Sequence, residues 1–309
     1  ALPASRLRVV TSERTLRILE LTAVRELLAE RTSFTPGREL AVAITPATDL
    51  AEAERRQDET QAARDLVRAA PSAGLRGARD IRDALQRARL GGMLDPEQLV
   101  GVAATVRAAE ALFAQVRAYP PLAAGTRFAR PPLEIAQAIE HAISPEAEVL
   151  DRASVALASA RSELRSAQTR LQQRVDALVR SPALAKLLQE PIVTQRGGRY
   201  VVPVKAESAS LVKGIVHDRS ASGATVFIEP LDILDANNRV REAELAERTE
   251  VERVLDDLSR RVERAADDED AMLRALAECD LILARAQLAE AWACTRPALN
   301  GSGTFDLIQ

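Results

Sequence analysis

Leu157, Leu164, Leu171 and Leu178 stand seven residues apart, and residues 149 to 188 contain no glycine and one proline, Pro182. A leucine every seven residues on an unbroken chain predicts a helix of about 40 residues, ~60 Å long at 1.5 Å per residue. Ala160, Ala167 and Val175 fall near the intervening half-heptad positions. A second long helix is predicted from Pro230 past Ala265, where Val251, Leu255, Leu258, Val262 and Ala265 alternate four and three apart. Two heptad helices joined by a compact segment predict an antiparallel coiled-coil arm. The alternative is an ordinary helical bundle; few globular helices approach 40 residues, which favours the arm.

The compact segment, 191 to 229, has a different chemistry. "IVTQR" and "RYVVPVK" flank Gly197–Gly198, a two-residue hairpin signal. "KGIVHD" and "ATVFIE" flank "RSASG", a second hairpin in which Gly223 supplies positive φ. Pro203 lies inside the second run and predicts an edge strand or bulge there. A four-stranded β head is therefore expected at the tip of the arm.

The remainder reads as helix. With 47% apolar residues, many of them alanine, and only 3% aromatic, the chain suits closely packed helices and not a β-sandwich. Residues 13 to 143 predict five or six helices, with Thr48 and Asp49 as candidate caps of one. Asp95 and Pro96 mark the start of another. "DDEDAMLRALAECDLILARAQLAEAWACT" predicts a separate amphipathic helix returning to this body. The expected organisation is a tail at 1–12, a helical core at 13–148 and 266–300, and lever helices at 149–190 and 230–265. The β head occupies 191–229, and a further domain begins at 301–309. The fold class is mainly α: a helical core, a long antiparallel coiled-coil lever arm and a small four-stranded antiparallel β clamp.

Cys279 and Cys294 are the only cysteines; about 22 Å apart on one predicted helix, they cannot pair within it. Unpaired thiols suit a reducing cytoplasm. No apolar run of about 18 residues for a membrane span is evident, and the first residues lack the apolar core of a signal peptide.

Chemistry is scarce. His217, Asp218, Ser220 and Ser222 offer a base, an acid and hydroxyls, but adjacent residues of a strand point to opposite faces, so His217 and Asp218 are not expected to serve each other. His141 is the only other histidine, and no metal-ligand spacing surrounds either. No Gly–Lys pair of a phosphate loop occurs. Catalytic and metal residues are therefore expected to be absent. The net charge of −3 does not mark a nucleic-acid binder, so any basic surface is local. Within 191–229 the cations are Arg196, Arg199, Lys205, Lys213 and Arg219, against Glu207, Asp218 and Glu229. These cations can contact phosphates; a solvated turn surface explains the same charges. The Arg–Glu pairs of "EAELAERTEVERVLDD" read as a solvated helix face.

"QEPIVTQRGGRYVVPVKAE" (189–207), "GIVHDRSASGATVFIEPLDILDANN" (214–238) and "REAELAERTEVERVLDDLSRRV" (241–262) together resemble the MutS family, and more closely its MutS-II branch. "TPGRELA", "GLRGARDIRDALQRARLGGMLDPEQL" and "CTRPALN" extend the resemblance more weakly over nearly the whole chain. The resemblance implies a core–lever–clamp fragment that binds branched or duplex DNA through its phosphates, without sequence specificity. Arg196, Arg199, Lys205, Lys213 and Arg219 fall in the clamp. It further implies a parent protein with an ATPase domain using ATP and Mg and a small-MutS-related (Smr) nuclease domain. That parent would be a homodimer near the nucleoid that suppresses recombination; this fragment would hold no cofactor and do no catalysis. A partner-binding arm docking on another protein or on collided ribosomes is the alternative.

Overall fold

The computed structural model describes residues 13–126 and 129–300. The expected tail at 1–12 and the expected domain start at 301–309 lie outside the described residues. The chain divides into two compact units, Ala1–Glu148 with Asp257–Gln309, and Val149–Asp256.

In the first unit the helices before residue 148 are α1 (Glu13–Ile18), α2 (Leu21–Ala29), α3 (Thr35–Ala43), α4 (Leu50–Ala69), α5 (Arg82–Arg89), α6 (Pro96–Val116), α7 (Pro120–Thr126) and α8 (Leu133–Ala142). These are eight among the described residues, against the five or six expected. Glu20, in the left-handed region at φ 53°, splits the first expected helix. Pro120 and Pro121 open α7 as well as ending α6, since proline suits a first turn whose N–H groups lack partners anyway. The caps act as read: Asp49 accepts from the Glu52 backbone N–H. Asp95 forms a reciprocal capping box with Gln98, satisfying two N–H groups the helix itself leaves open.

One expectation is corrected here. α6 is long and apolar enough to cross a membrane by length and composition alone. Its apolar side chains, among them Leu99, Val102, Val106, Leu112 and Val116, are buried within the protein, as a core helix requires.

The second unit opens with a 3-10 turn, Asp151–Ala153, and α9, Val155–Val179. α9 has 25 residues, not about 40. Ser154 starts it by accepting from the Leu157 N–H. Ser181, ahead of Pro182, takes φ −64° and ψ 122°, because the proline ring disfavours helical geometry in the residue before it. A short α10, Pro182–Ala185, follows, then β1 (Thr194–Arg196), β2 (Arg199–Lys205), a 3-10 turn (Ala206–Leu211), β3 (Gly214–Arg219) and β4 (Thr225–Pro230).

The last helix, α11, runs unbroken from Leu231 to Ala291. The separate helix expected after Ala265 is therefore part of it; residues 231–291 hold no glycine or proline to stop it. Cys294 falls beyond its end, and both cysteines are free. In the second unit Ala167, Leu171 and Val175 of α9 are buried with Ile233, Ala236 and Val240 of α11. Arg161, near the start of α9, pairs with Glu247, 3.0 Å away and further along α11, so the two helices pack antiparallel, as their heptads predict.

In the first unit the later part of α11 repairs a deficiency of α3. Phe34, at the N-cap of α3, has no side chain to cap it. The buried Asp280 carboxylate accepts instead from the Ser33 and Phe34 backbone N–H groups, each at 3.1 Å, and from the Ser33 hydroxyl at 3.0 Å. Burial raises the Asp280 pKa, and these hydrogen bonds work against that rise.

Candidate nucleic-acid interface

The four strands form one antiparallel sheet in the order β1-β2-β4-β3. Both predicted hairpins form, and β2–β4 pairing joins them. Gly197, Gly198 and Gly223 all take positive φ, which tight hairpin turns demand. Pro203 is not on an edge strand, as β2 is central. The pairing with β1 reaches only Val201, so beyond it Pro203 faces residues 187–189, where its carbonyl accepts from the Gln189 N–H. The missing proline N–H thus falls outside the β2–β4 ladder.

One face of the sheet is apolar: Val202, Val204, Val226 and Ile228 pack with Leu184 and Leu188. The opposite face is a charged network around Glu229, which is fully buried. Its Oε1 accepts from Arg199 Nη1 and from Asn237 Nδ2, both at 2.8 Å, and His217 Nε2 stands 2.7 Å from Oε2. Asn237 also brackets the Tyr200 backbone, accepting from its N–H and donating to its carbonyl, each at 3.1 Å. Arg199 Nη2 donates to Asn238 Oδ1 at 2.8 Å. The first turns of α11 are thereby sewn to β2 by side chains that imitate a neighbouring strand.

His217 departs from its sequence reading. A bulge between Val216 and Asp218 shifts the β3–β4 register, and a bulge sets two consecutive residues opposite one. His217 and Asp218 consequently share the charged face, against the alternation expected of a strand. They serve different partners: His217 meets Glu229, and Asp218 meets Arg196 at 3.2 Å.

The five predicted cations separate into two groups. Arg196 and Arg199 are cross-strand partners, a like-charge pair that is unfavourable alone. Each has its own acid, Asp218 and Glu229, and Arg196 also stacks over Phe227, 4.1 Å from the ring centroid. Lys205, half-exposed at the end of β2, has its Nζ 3.5 Å from the Lys186 carbonyl. Lys213 and Arg219 bracket β3, which is exposed throughout, and among the described residues neither forms an ion pair. Glu229 enters the sequence reading only as one negative charge, and that reading gives Asn237 and Asn238 no part in the site. The available signal was two consecutive asparagines, poor helix formers, inside a helix, eight and nine residues after a glutamate at a strand end.

Gly214 fixes how close β3 lies to β4. A Cβ there would stand 2.3 Å from the Glu229 carbonyl oxygen and 2.6 Å from Ile228 Cγ2. Gly214→Ala is expected to destabilise the second unit by about 2 kcal/mol, as overpacking does. Urea unfolding checks it, and an unchanged midpoint would mean the strands part without cost.

Among the described residues no three His, Cys, Asp or Glu side chains gather to hold a metal. No family model matches the chain. Endonuclease MutS2 of Symbiobacterium thermophilum is 44% identical to it over 93% of the chain and 36% of the relative. The Endonuclease MutS2 of Pelotomaculum thermopropionicum is 43% identical over 96% of the chain and 38% of the relative. That of Geobacillus sp. (strain WCH70) is 37% identical over 96% and 39%. The chain thus spans a little over a third of the length of the curated relatives it matches. With this likeness running through both units, the helical body and the β-tipped coiled coil alike, the chain belongs to the MutS-II branch of the MutS family.

Proposed function

We propose that the β head is a clamp that holds duplex or branched DNA by its phosphates, without reading sequence. The observation that carries this is the pair Lys213 and Arg219, without ion pairs at the two ends of the exposed strand β3. Six residues at ~3.3 Å each set them up to ~20 Å apart, enough to reach different phosphates on one duplex. Lys205 adds a third cation at the end of β2. Arg196 and Arg199 are assigned a different part: bound to Asp218 and Glu229, they hold the charged face in shape. The relatives' name supports nuclease activity for the whole protein. In that protein the proposal places ATP and Mg in another domain, pairs two subunits around DNA and assigns the suppression of recombination.

Anisotropy of a labelled four-way junction and a matching duplex, titrated across salt, tests the clamp. Each lost phosphate contact flattens the plot of log affinity against log salt by about 1. Lys213→Ala/Arg219→Ala is expected to flatten it by about 2 and to weaken binding at least tenfold at 0.1 M salt. Unchanged affinity and slope would remove β3 from the contact surface.

A second reading, a protein or ribosome dock, draws on the apolar residues beside those cations. Leu211, Ile215 and Val216 are 68%, 46% and 51% exposed, and exposed apolar edge strands invite partners. Ribosome recovery from nuclease-treated lysate, with no duplex affinity, would favour it.

A further inference from the structure

Arginines of the stem are, as a rule, matched with acids. Arg161 and Arg165 bind Asp151; Arg241 binds Glu244, Arg248 binds Glu252 and Arg253 binds Glu250. Four depart from that rule: Arg170, Arg174, Arg180 and Arg239 form no ion pair among the described residues, and Arg170, Arg174 and Arg239 line one groove with Gln173. Its floor is Ala167, Ala177 and Ala236, and its volume is about 280 Å³.

The helical repeat explains the gathering. Arg170, Gln173, Arg174 and Ala177 lie at i, i+3, i+4 and i+7, one face of α9. Arg239 is one turn beyond Ala236 on α11, which packs against the adjoining α9 face of Ala167, Leu171 and Val175. The nearest carboxylate on α9, Asp176, accepts from Gln172 at 2.9 Å and does not line the groove. Like charges at i, i+4 disfavour a helix, so an unneutralised trio works against the fold unless an anion joins it. Small alanine side chains leave the floor low enough for that anion to come between the guanidinium groups.

We infer that this groove is a second phosphate-binding site, on the stem, for the backbone of a nucleic-acid duplex. Arginine forks match phosphate oxygens two at a time. The groove's residues, apart from Ala167 and Ala236, are exposed, whereas small ligands are mostly engulfed by their pockets; a polymer presenting one or two phosphates fits better. A larger cavity in the first unit, about 520 Å³ and lined by Arg56, Arg64, Arg285 and Arg296, is unlike it, since those arginines are bound to Glu52, Glu290, Glu59 and Asp58. The inference shares the polyanion with the clamp but none of its residues.

The test compares three variants of the chain: Arg170→Gln/Arg174→Gln/Arg239→Gln, the clamp pair Lys213→Ala/Arg219→Ala, and Arg241→Gln/Arg248→Gln/Arg253→Gln. Glutamine keeps helix propensity at these exposed positions, and circular dichroism verifies the fold. Duplex binding across salt is expected to weaken at least tenfold for the groove variant, with the slope lower by 2 to 3 for about three contacts. The third variant, losing equal charge, is expected to change little. The inference is overturned if groove and third variants behave alike, or if the groove variant binds duplex as the parent chain does. It is also overturned if calorimetry shows the groove variant losing only pyrophosphate binding. A groove effect with no clamp effect would sink the clamp reading alone; a clamp effect with no groove effect would sink this one alone.

Discussion

Glu229→Ala should lower the stability of the Val149–Asp256 unit by about 3 kcal/mol, at the low end of what breaking a buried ion pair costs. The carboxylate is fully buried and serves three partners at once, Arg199, Asn237 and His217. Its removal strands a guanidinium and an amide, and unpaired buried polar groups carry most of the penalty. For a unit of this size the melting transition should fall on the order of 10 °C. Glu229→Gln keeps the volume and an acceptor oxygen for Arg199, so its loss should be nearer 1 kcal/mol. Calorimetry of the two variants decides the matter. A Glu229→Ala transition within about 1 kcal/mol of the parent would show that apolar packing alone holds the head in place.

Glu269→Gln should have the opposite sign. Glu269 is fully buried on α11, and neither carboxyl oxygen has a hydrogen-bond partner. Burial, with the Asp270 charge adding to it and Arg89 opposing it, raises its pKa from 4.5 to about 8. The folded chain therefore binds a proton that the unfolded chain releases between those values. Stability from this group is complete below about pH 4.5 and drains away as pH rises towards 8. At about 1.4 kcal/mol per pKa unit, glutamine, which carries no charge to bury, should stabilise the protein by on the order of 4 kcal/mol at pH 7.5 and by less than about 1 at pH 5. Urea unfolding at the two pH values measures this. Parallel pH profiles for parent and variant would mean that Glu269 reaches solvent or a partner when ionised.

The acidic run around Glu269 shows where reading along the chain stops. "DDED" suggests a solvated segment and a helix boundary, yet α11 passes through it. Asp267 and Asp270 reach Arg89, and Glu269 alone turns inward. Helical period can point to a buried face; it carries no information on whether a carboxylate there will find a partner. The same gap separates Arg199 from Lys213. Both are cations in a β-rich stretch, and only the placement of Glu229 and Asn238, 30 and 39 residues downstream, diverts the first into the sheet's own network.

What the sequence determined by itself was set by interactions a few residues long. The heptad spacing of α9, the caps Asp49 and Asp95, the turn at Gly197–Gly198 and the limit imposed by Pro182 all act through local torsions and neighbouring N–H groups. The tertiary structure alone decided the bulge at His217, the central place of β2, the burial of Glu229 and Glu269, and the meeting of Arg170 and Arg174 with Arg239. Each of these depends on which distant segment supplies the partner or excludes the water. Desolvation and charge pairing are properties of a place in space, and that place exists only after the chain has folded.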